Sequence, residues 1–291
     1  MGPPPHPNQR RPHGVFRGKG VGKSELAQTI YIILSLPWPD NPLGWQPPNR
    51  PVKTLYLDYE LPGYIAQGRV QEIVRGHNLP EVILHHRRCK IPLAHDIEAV
   101  YNHVHNLKAE VVIIDSLARA AGGPLNETEP ANAFSEALDK LETTSLILGQ
   151  TSKNPDTKRK SIYGSTLFTY YARSIWELCK AEENPPDYLN CALFHRDANL
   201  TRRFPEVGIQ IHFNGTSTTV ERQSVSLSDF IEKISVQKAI TQELRHGKLL
   251  LRDLKDRLGV NENTLKSALT RMRTKGLVAN DSAGAWFLPA R

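Results

Sequence analysis

The chain has little cysteine: three residues in 291, at positions 89, 179 and 191. They are odd in number and far apart. That excludes a disulfide scaffold and a CxxC metal site, and it fits a reducing cytoplasm. Long apolar runs are missing too. The longest, residues 30–36, falls well short of the ~18 residues a membrane span needs and stops at Pro37. The opening MGPPPHPNQRRPHG lacks the apolar core of a secretory signal. Nor is there a large excess of one charge. Thirty-seven Lys and Arg against 30 Asp and Glu leave +7, a mild bias towards an anionic partner that identifies none. The length suits two domains at roughly 150 residues each, and a core of useful size needs no metal or disulfide staple.

What is present divides the chain. Residues 1–14 are Pro-rich and polar, without periodicity, and read as a disordered leader. Residues 15–222 alternate apolar runs with amphipathic stretches. TLYLDY, EVVIID and SLILG read as strands, with helical patterns near 62–77, 95–107 and 130–142 between them. This alternation predicts an α/β domain with a mainly parallel sheet. Six prolines between 37 and 51 mark a surface loop. After residue 170 come ARSIWEL, CALFHRD and GIQIHF with little helix between, which suggests added antiparallel strands at one edge. Residues 223–245 read as a linker helix, its periodic part at 227–244. Residues 246–291 parse as helix 249–258, a turn at Gly259, helix 262–275 and a hairpin around 281–284. The second helix puts Leu265, Ala268, Leu269 and Met272 on one face, and Lys266, Thr270, Arg271 and Arg273 on the other. This tail holds nine Lys and Arg against four Asp and Glu, so five of the seven net positive charges.

The most specific motif is Gly18-Lys19-Gly20-Val21-Gly22-Lys23-Ser24, followed by Glu25 and a helical pattern. Small residues let backbone N–H groups converge on phosphate oxygens, and the helix N-terminus adds its positive end. Lys23 would reach the β/γ-phosphates and the Ser24 hydroxyl would ligate Mg²⁺. Two departures stand out. Arg17 occupies the place where the usual pattern has its first glycine. The preceding residues 11–16 carry only Val15 and Phe16 as apolar side chains, so the first strand looks truncated.

Acids end two other strands. Asp115 closes EVVIID, where a carboxylate holds the Mg²⁺ shell. Glu60 follows TLYLDY and could orient or deprotonate the attacking water, with Asp58 as the competing carboxylate. Gln150, with Thr151, ends SLILG, where an amide can sense a γ-phosphate. The segment after it carries Lys153, Lys158, Arg159 and Lys160 against Asp156, a basic run that could touch a phosphodiester backbone or simply be solvated. Arg173 and Arg196 are candidate arginine fingers acting on a neighbour's γ-phosphate, with structural ion pairing as the alternative for each. His195 reads as a packing residue.

GKGVGKS, LYLDYE, PLAHDIEAV, VVIIDSLARAAGG, LILGQTSKN, SIYGSTLFTYYARSIWEL and ALFHRDANL together resemble the RecA-like P-loop ATPases of the RepA type. The resemblance covers about residues 15–213. It implies a RecA-like core, ATP and Mg²⁺ as cofactors, hydrolysis between subunits of a homo-oligomeric ring, a hexamer by expectation, and kinship with replicative helicases. Carried over by position, Lys23 and Ser24 match the Walker-A residues, Asp115 the Walker-B acid, Glu60 the catalytic glutamate, and Gln150 the residue opening a DNA-contacting loop at 151–165. Asp197 stands where the family tends to have a second basic residue, which weakens Arg196 as the finger. The tail 246–291 is similar to winged-helix domains. Three functions follow: a DNA-associated ATPase motor or loader of plasmid, phage or bacterial replication or recombination, binding single-stranded DNA through the loop and duplex DNA through the winged helix; a DNA-binding regulator with a vestigial ATPase fold; or a nucleotide-dependent assembly protein without nucleic acid.

Overall fold

The computed structural model describes residues 20–150, 166–181, 184–199, 202–224 and 236–289, together with the backbone of 12–16. They form two compact units, one reaching Gln223 and the other beginning at Ser224, with 181–183 grouped with the second.

The first unit is built on one nine-stranded sheet in the order β3-β2-β4-β5-β1-β6-β7-β8-β9. The strands are β1 (Pro12–Phe16), β2 (Thr54–Asp58), β3 (His86–Arg88), β4 (Val111–Asp115), β5 (Thr144–Gly149), β6 (Ser174–Lys180), β7 (Tyr188–Ala198), β8 (Val207–Phe213) and β9 (Thr218–Gln223). β3 to β6 in this order run parallel; β7, β8 and β9 extend the sheet antiparallel. The parallel strands are linked by helices, among them α1 (Lys23–Ser35), α2 (Gly63–Gly76), α3 (Leu93–Leu107), α4 (Leu117–Ala120), α5 (Thr128–Leu141) and α6 (Thr166–Tyr171). Both faces of the sheet are covered. Leu55, Leu57, Val112 and Ile114 pack on one side with α3 and α5 residues such as Val100 and Phe134. Tyr56, Ile113 and Leu148 pack on the other with α1 and α2 residues such as Ile32 and Ile73. Burial on both faces explains the near-continuous apolar runs in β2 and β4.

Two expectations need correction. Residues 12–14 belong to β1 and not to a leader. β1 is also as long as β2 and β4, five residues each, and is flanked by β5 and β6 on both sides. Its two parallel neighbours define a strand that apolar content does not reveal. Pro12 stands at the first position, where a missing N–H is tolerated. β3 and β9 are additions that the sequence reading did not contain.

The antiparallel extension folds back over the α1–α2 side. Arg75 Nε donates to Thr216 O at 2.9 Å and Val220 N–H to His77 Nε2 at 3.0 Å. A Cβ on Gly76 would collide with the Thr218 backbone, so the α2 end and β9 need glycine there to approach.

The second unit holds α7 (Val236–Arg245), α8 (Leu251–Leu258), α9 (Glu262–Thr274) and the hairpin β10 (Ala279–Asn280) with β11 (Trp286–Phe287). Leu249 bridges to Trp286 outside the hairpin. Gly259 ends α8 with φ 58°, a left-handed turn that suits glycine. Leu254, Leu258, Leu265, Leu269 and Met272 are buried with Ala239, Ile240 and Leu244 of α7. Residues 236–245 of the helix expected as a linker are therefore part of this unit's core, residues 225–235 of it lie outside the described residues, and 246–291 is not the whole unit. Among the described residues, α7 finds its packing partners in α8, α9 and β11, which its own periodicity does not reveal. Among the described residues no helix is long and apolar enough to cross a membrane.

Candidate active site

β1, β2, β4 and β5 end at one edge of the sheet. Register pairs Asp58 with Asp115 and Phe16 with Gly149. In parallel α/β sheets, ligands bind at the carboxyl ends of the strands. The candidate residues near 20–25, 58–60, 115 and 150 all sit at this edge, whereas Gly18, Lys19 and the 151–165 loop lie outside the described residues.

The loop entering α1 is shaped by two glycines. Gly20 and Gly22 have φ of 67° and 82°, in the left-handed region. At Gly22 a Cβ would also lie 2.6 Å from Ile211 Cδ1 and 3.1 Å from Leu189 Cδ2. The antiparallel extension thus presses on the loop, and Cys191 Sγ donates to Val21 O at 3.3 Å.

Ser24 Oγ donates to Asp115 Oδ2 at 2.8 Å, joining the first turn of α1 to the end of β4 across the sheet edge. The same oxygen accepts from Tyr56 Oη at 2.9 Å. Burial pushes the Asp115 carboxyl up to about 6, against the pull of the Ser24 and Tyr56 hydrogen bonds, with Asp58 and Glu60 adding repulsion. Burial likewise lowers the Lys23 ammonium, while Asp115, Glu60 and Glu25 counter it. The Lys23 ammonium thus lies in the field of three carboxylates. Glu25 lies 3.9 Å from Arg69.

Glu60 is exposed, and one of its carboxylate oxygens accepts from Ser116 Oγ at 2.8 Å. Asp58, in contrast, is 2% exposed and occupied with structure. Its Oδ1 accepts the backbone N–H of Glu60 at 2.7 Å and of Leu61 at 2.6 Å. Arg88 and His86 of β3 lie 3.6 and 3.5 Å from its oxygens. Of the two competing carboxylates, Asp58 shapes the turn that carries Glu60. Sequence reasoning missed Tyr56, Ser116 and this role of Asp58. The signal was available in part: strand period two puts Tyr56 and Asp58 on one face.

The chemistry of the donor set fits a hard cation and a polyphosphate. Ser24 and Asp115 offer oxygen ligands at one point, the kind Mg²⁺ takes. The N-cap of α1, Gly22, has no side chain to cap the helix, so the first-turn N–H groups have no side-chain acceptor there.

Gln150 follows the end of β5 and is half-buried at the same edge. Arg173 lies away from this edge, whereas Arg196 bonds Glu177, whose register partner Phe16 ends β1 there. Arg173 precedes Ser174, which pairs with His13 at the opposite end of β1. It is exposed and makes no ion pair among the described residues. Arg196 Nε donates to buried Glu177 at 2.7 Å, and its guanidinium lies over Phe194. His195 stacks on Trp176 at 4.1 Å and accepts the Phe204 N–H at 2.9 Å, a packing role.

Residues 18–156 match the family model described as an AAA domain. The matched span contains the loop–helix and both strand-end acids, Glu60 and Asp115. No curated protein matches the chain. Among solved structures, a KaiC-like protein from the hyperthermophilic archaeon Pyrococcus horikoshii is similar at 15% identity and a TM-score of 0.47, covering 72% of this chain and 88% of that one.

Proposed function

We propose that the chain is a cytoplasmic, Mg-ATP-hydrolysing, RecA-like ATPase of the RepA type that works on DNA as a motor or loader. The observation that carries the hydrolytic part is the joining of Ser24 to Asp115 beside Lys23, with exposed Glu60 anchored on Ser116 at the same edge. In this reading Lys23 binds the β/γ-phosphates and offsets the charge that develops on them. Ser24 and Asp115 hold the Mg²⁺ shell; bound there, the ion neutralises phosphate charge. Glu60 orients the attacking water and takes its proton, using the oxygen that Ser116 does not engage. Asp58 keeps the Glu60 backbone in place. Gln150 senses the γ-phosphate.

The same reading makes the active form a homo-oligomeric ring, a hexamer, because Arg173 lies at the opposite end of the strands from its own candidate site and Arg196 is held by Glu177. Arg173 is the better finger, since Glu177 already holds Arg196. The 151–165 segment is read as the single-strand contact. The second unit is read as a winged helix from its three helices, its hairpin and the Leu249–Trp286 bridge. The vestigial-regulator alternative loses support it drew from a shortened first strand, because β1 spans five residues, as β2 and β4 do.

ATP hydrolysis by the full chain, with and without single-stranded DNA, tests this. DNA-stimulated turnover is expected. Turnover indifferent to DNA would remove the motor and leave a nucleotide-dependent assembly protein; DNA binding without turnover would leave a regulator.

A further inference from the structure

The segment that follows β4 touches the turn carrying Glu60 at three points. Tyr59 N–H donates to Asp115 O at 2.7 Å, which carries the β2–β4 pairing one step past the end of β2. Ser116 Oγ donates to Glu60 Oε1 at 2.8 Å. Arg119 Nη1 donates to Tyr59 O at 3.0 Å. Ser116 stands at the N-cap of α4 and Arg119 three residues further on, so the two share a side of the helix. A fourth contact comes from β2 itself: Asp58 Oδ1 accepts the Glu60 N–H at 2.7 Å. Tyr59 O and the Glu60 N–H belong to one peptide group. That group is gripped at both ends, its oxygen by Arg119 and its hydrogen by Asp58. A planar peptide held in this way cannot tip, and its plane sets the direction in which Glu60 leaves the backbone. Arg119 is exposed and makes no ion pair among the described residues. Its neighbours in α4, Leu117 and Ala120, are buried and fix the helix in the core whether or not the guanidinium is present. Holding a long side chain against one carbonyl costs rotamer freedom, and a single exposed hydrogen bond returns little stability for it.

We propose that Arg119 is a positioning residue for ATP hydrolysis: by holding the Tyr59 carbonyl it aims the Glu60 carboxylate at the attacking water. The proposal rests on the role given to Glu60 above and adds a residue that acts through it, without touching the nucleotide. In that reading one short segment serves the site three times. Asp115 meets the metal, Ser116 the Glu60 carboxylate and Arg119 the peptide behind that carboxylate. Asp58 closes the grip from the other side. Glu60 is exposed, so packing does not hold its side chain, and these hydrogen bonds are what orient it. The Arg119 bond to the turn is made by one nitrogen to one oxygen. A lysine ammonium on its long stem can therefore take over the contact, as it could not at a forked, two-bond site.

The test uses the full chain. Steady-state ATP hydrolysis, equilibrium Mg-ATP binding and thermal unfolding are measured for the parent, Arg119→Ala, Arg119→Lys, Asp58→Ala and the double variant Arg119→Ala with Asp58→Ala. Arg119→Ala should lower kcat about tenfold, short of the roughly hundredfold that a misplacement of about 1 Å can cost. KM, Mg-ATP affinity and unfolding temperature should not move. Arg119→Lys should recover most of the loss. Because both residues grip one peptide group, the double variant should also lose about tenfold, and not the roughly hundredfold of independent sites. Hydrogen exchange at the Glu60 and Leu61 N–H groups, followed without nucleotide, should be faster in Arg119→Ala. A parent-like kcat, additive losses, unchanged exchange or a lowered unfolding temperature would each overturn the proposal. So would a raised KM or weakened Mg-ATP binding, which would make Arg119 a nucleotide contact. Glu60→Gln is assayed beside these variants. If it keeps turnover, the role of Glu60 falls and that of Arg119 with it; if it loses turnover while Arg119→Ala keeps it, only the role of Arg119 falls.

Discussion

The strand-end edge of the sheet and the outer face of α9 both concentrate charge, by opposite means. At the edge, Asp58 and Asp115 are buried, each oxygen contact is specific, and burial moves Asp115 up to about 6. On α9 the cations are exposed and bound loosely or not at all. Buried charges act one by one, because desolvation magnifies each interaction. Exposed charges act as a field, screened by salt, and none is individually important to stability. Single substitutions should therefore separate the two regions sharply.

The largest effect is expected at Lys23. Lys23→Ala removes the only cation described in the loop, and turnover should fall by at least roughly a hundredfold. Steady-state ATP hydrolysis measures it; parent-like turnover would end the phosphate-loop assignment. No single neutralisation on α9 should change basal turnover.

Asp115 comes next, and its effect on stability runs against its role. Its folded pKa lies above the ordinary 3.8, so the folded chain holds more protons than the unfolded chain between about pH 4 and 6. The stabilising share is complete below pH 4 and is lost as pH rises through 6. Asp115→Asn should thus stabilise the nucleotide-free protein at pH 8 by about 1–3 kcal/mol, with the gain vanishing near pH 4. The same variant should weaken Mg-dependent nucleotide binding. Thermal unfolding against pH, without and with Mg-ATP, reads both; a variant less stable than the parent at pH 8 would contradict the buried-charge account.

A smaller effect is expected at Asp58. Asp58→Ala removes the acceptor for two backbone N–H groups, and kcat should fall about tenfold, some 1.4 kcal/mol, with KM for Mg-ATP little changed. Asp58→Asn keeps an oxygen acceptor and should recover most of that loss. Equal loss in both would mean that the charge, not the hydrogen-bonded turn, is what Glu60 needs.

The smallest effect belongs to the exposed ion pairs. Lys266 and Lys255 hold the Glu262 carboxyl below its usual value. Even so, Glu262→Gln should leave the unfolding temperature unchanged at physiological salt. A clear drop would show that exposed charge carries more of this unit's stability than its solvation allows.

Much of the edge was legible in the sequence, because chemistry there follows strand ends. GKGVGKS, EVVIID and TLYLDYE each announce a loop or a strand with its terminal polar residue, and register then brings Asp58 beside Asp115. What was not legible depended on neighbours. β1 carries the sequence PHGVF and is a strand because β5 and β6 flank it. β3 is three polar residues, too short for any periodicity. β9 alternates, with Thr218 and Val220 inward and Glu221 outward, but its polar content hides it beside more apolar neighbours. The core role of α7 needed α8 and α9 in place. Asp58 was visible as a carboxylate, while its hydrogen bonds to the following two N–H groups exist only in the folded turn.

The central claim is that the strand-end acids divide the labour, Asp115 for the metal and Glu60 for the water. Equilibrium binding of Mg-ATP to Glu60→Gln, measured beside its turnover, tests this most directly. The amide keeps an oxygen for the Ser116 hydroxyl but takes no proton from water. Affinity for Mg-ATP within about threefold of the parent, under 0.7 kcal/mol, together with loss of turnover is the predicted result. Retained turnover, or loss of binding along with turnover, would contradict it.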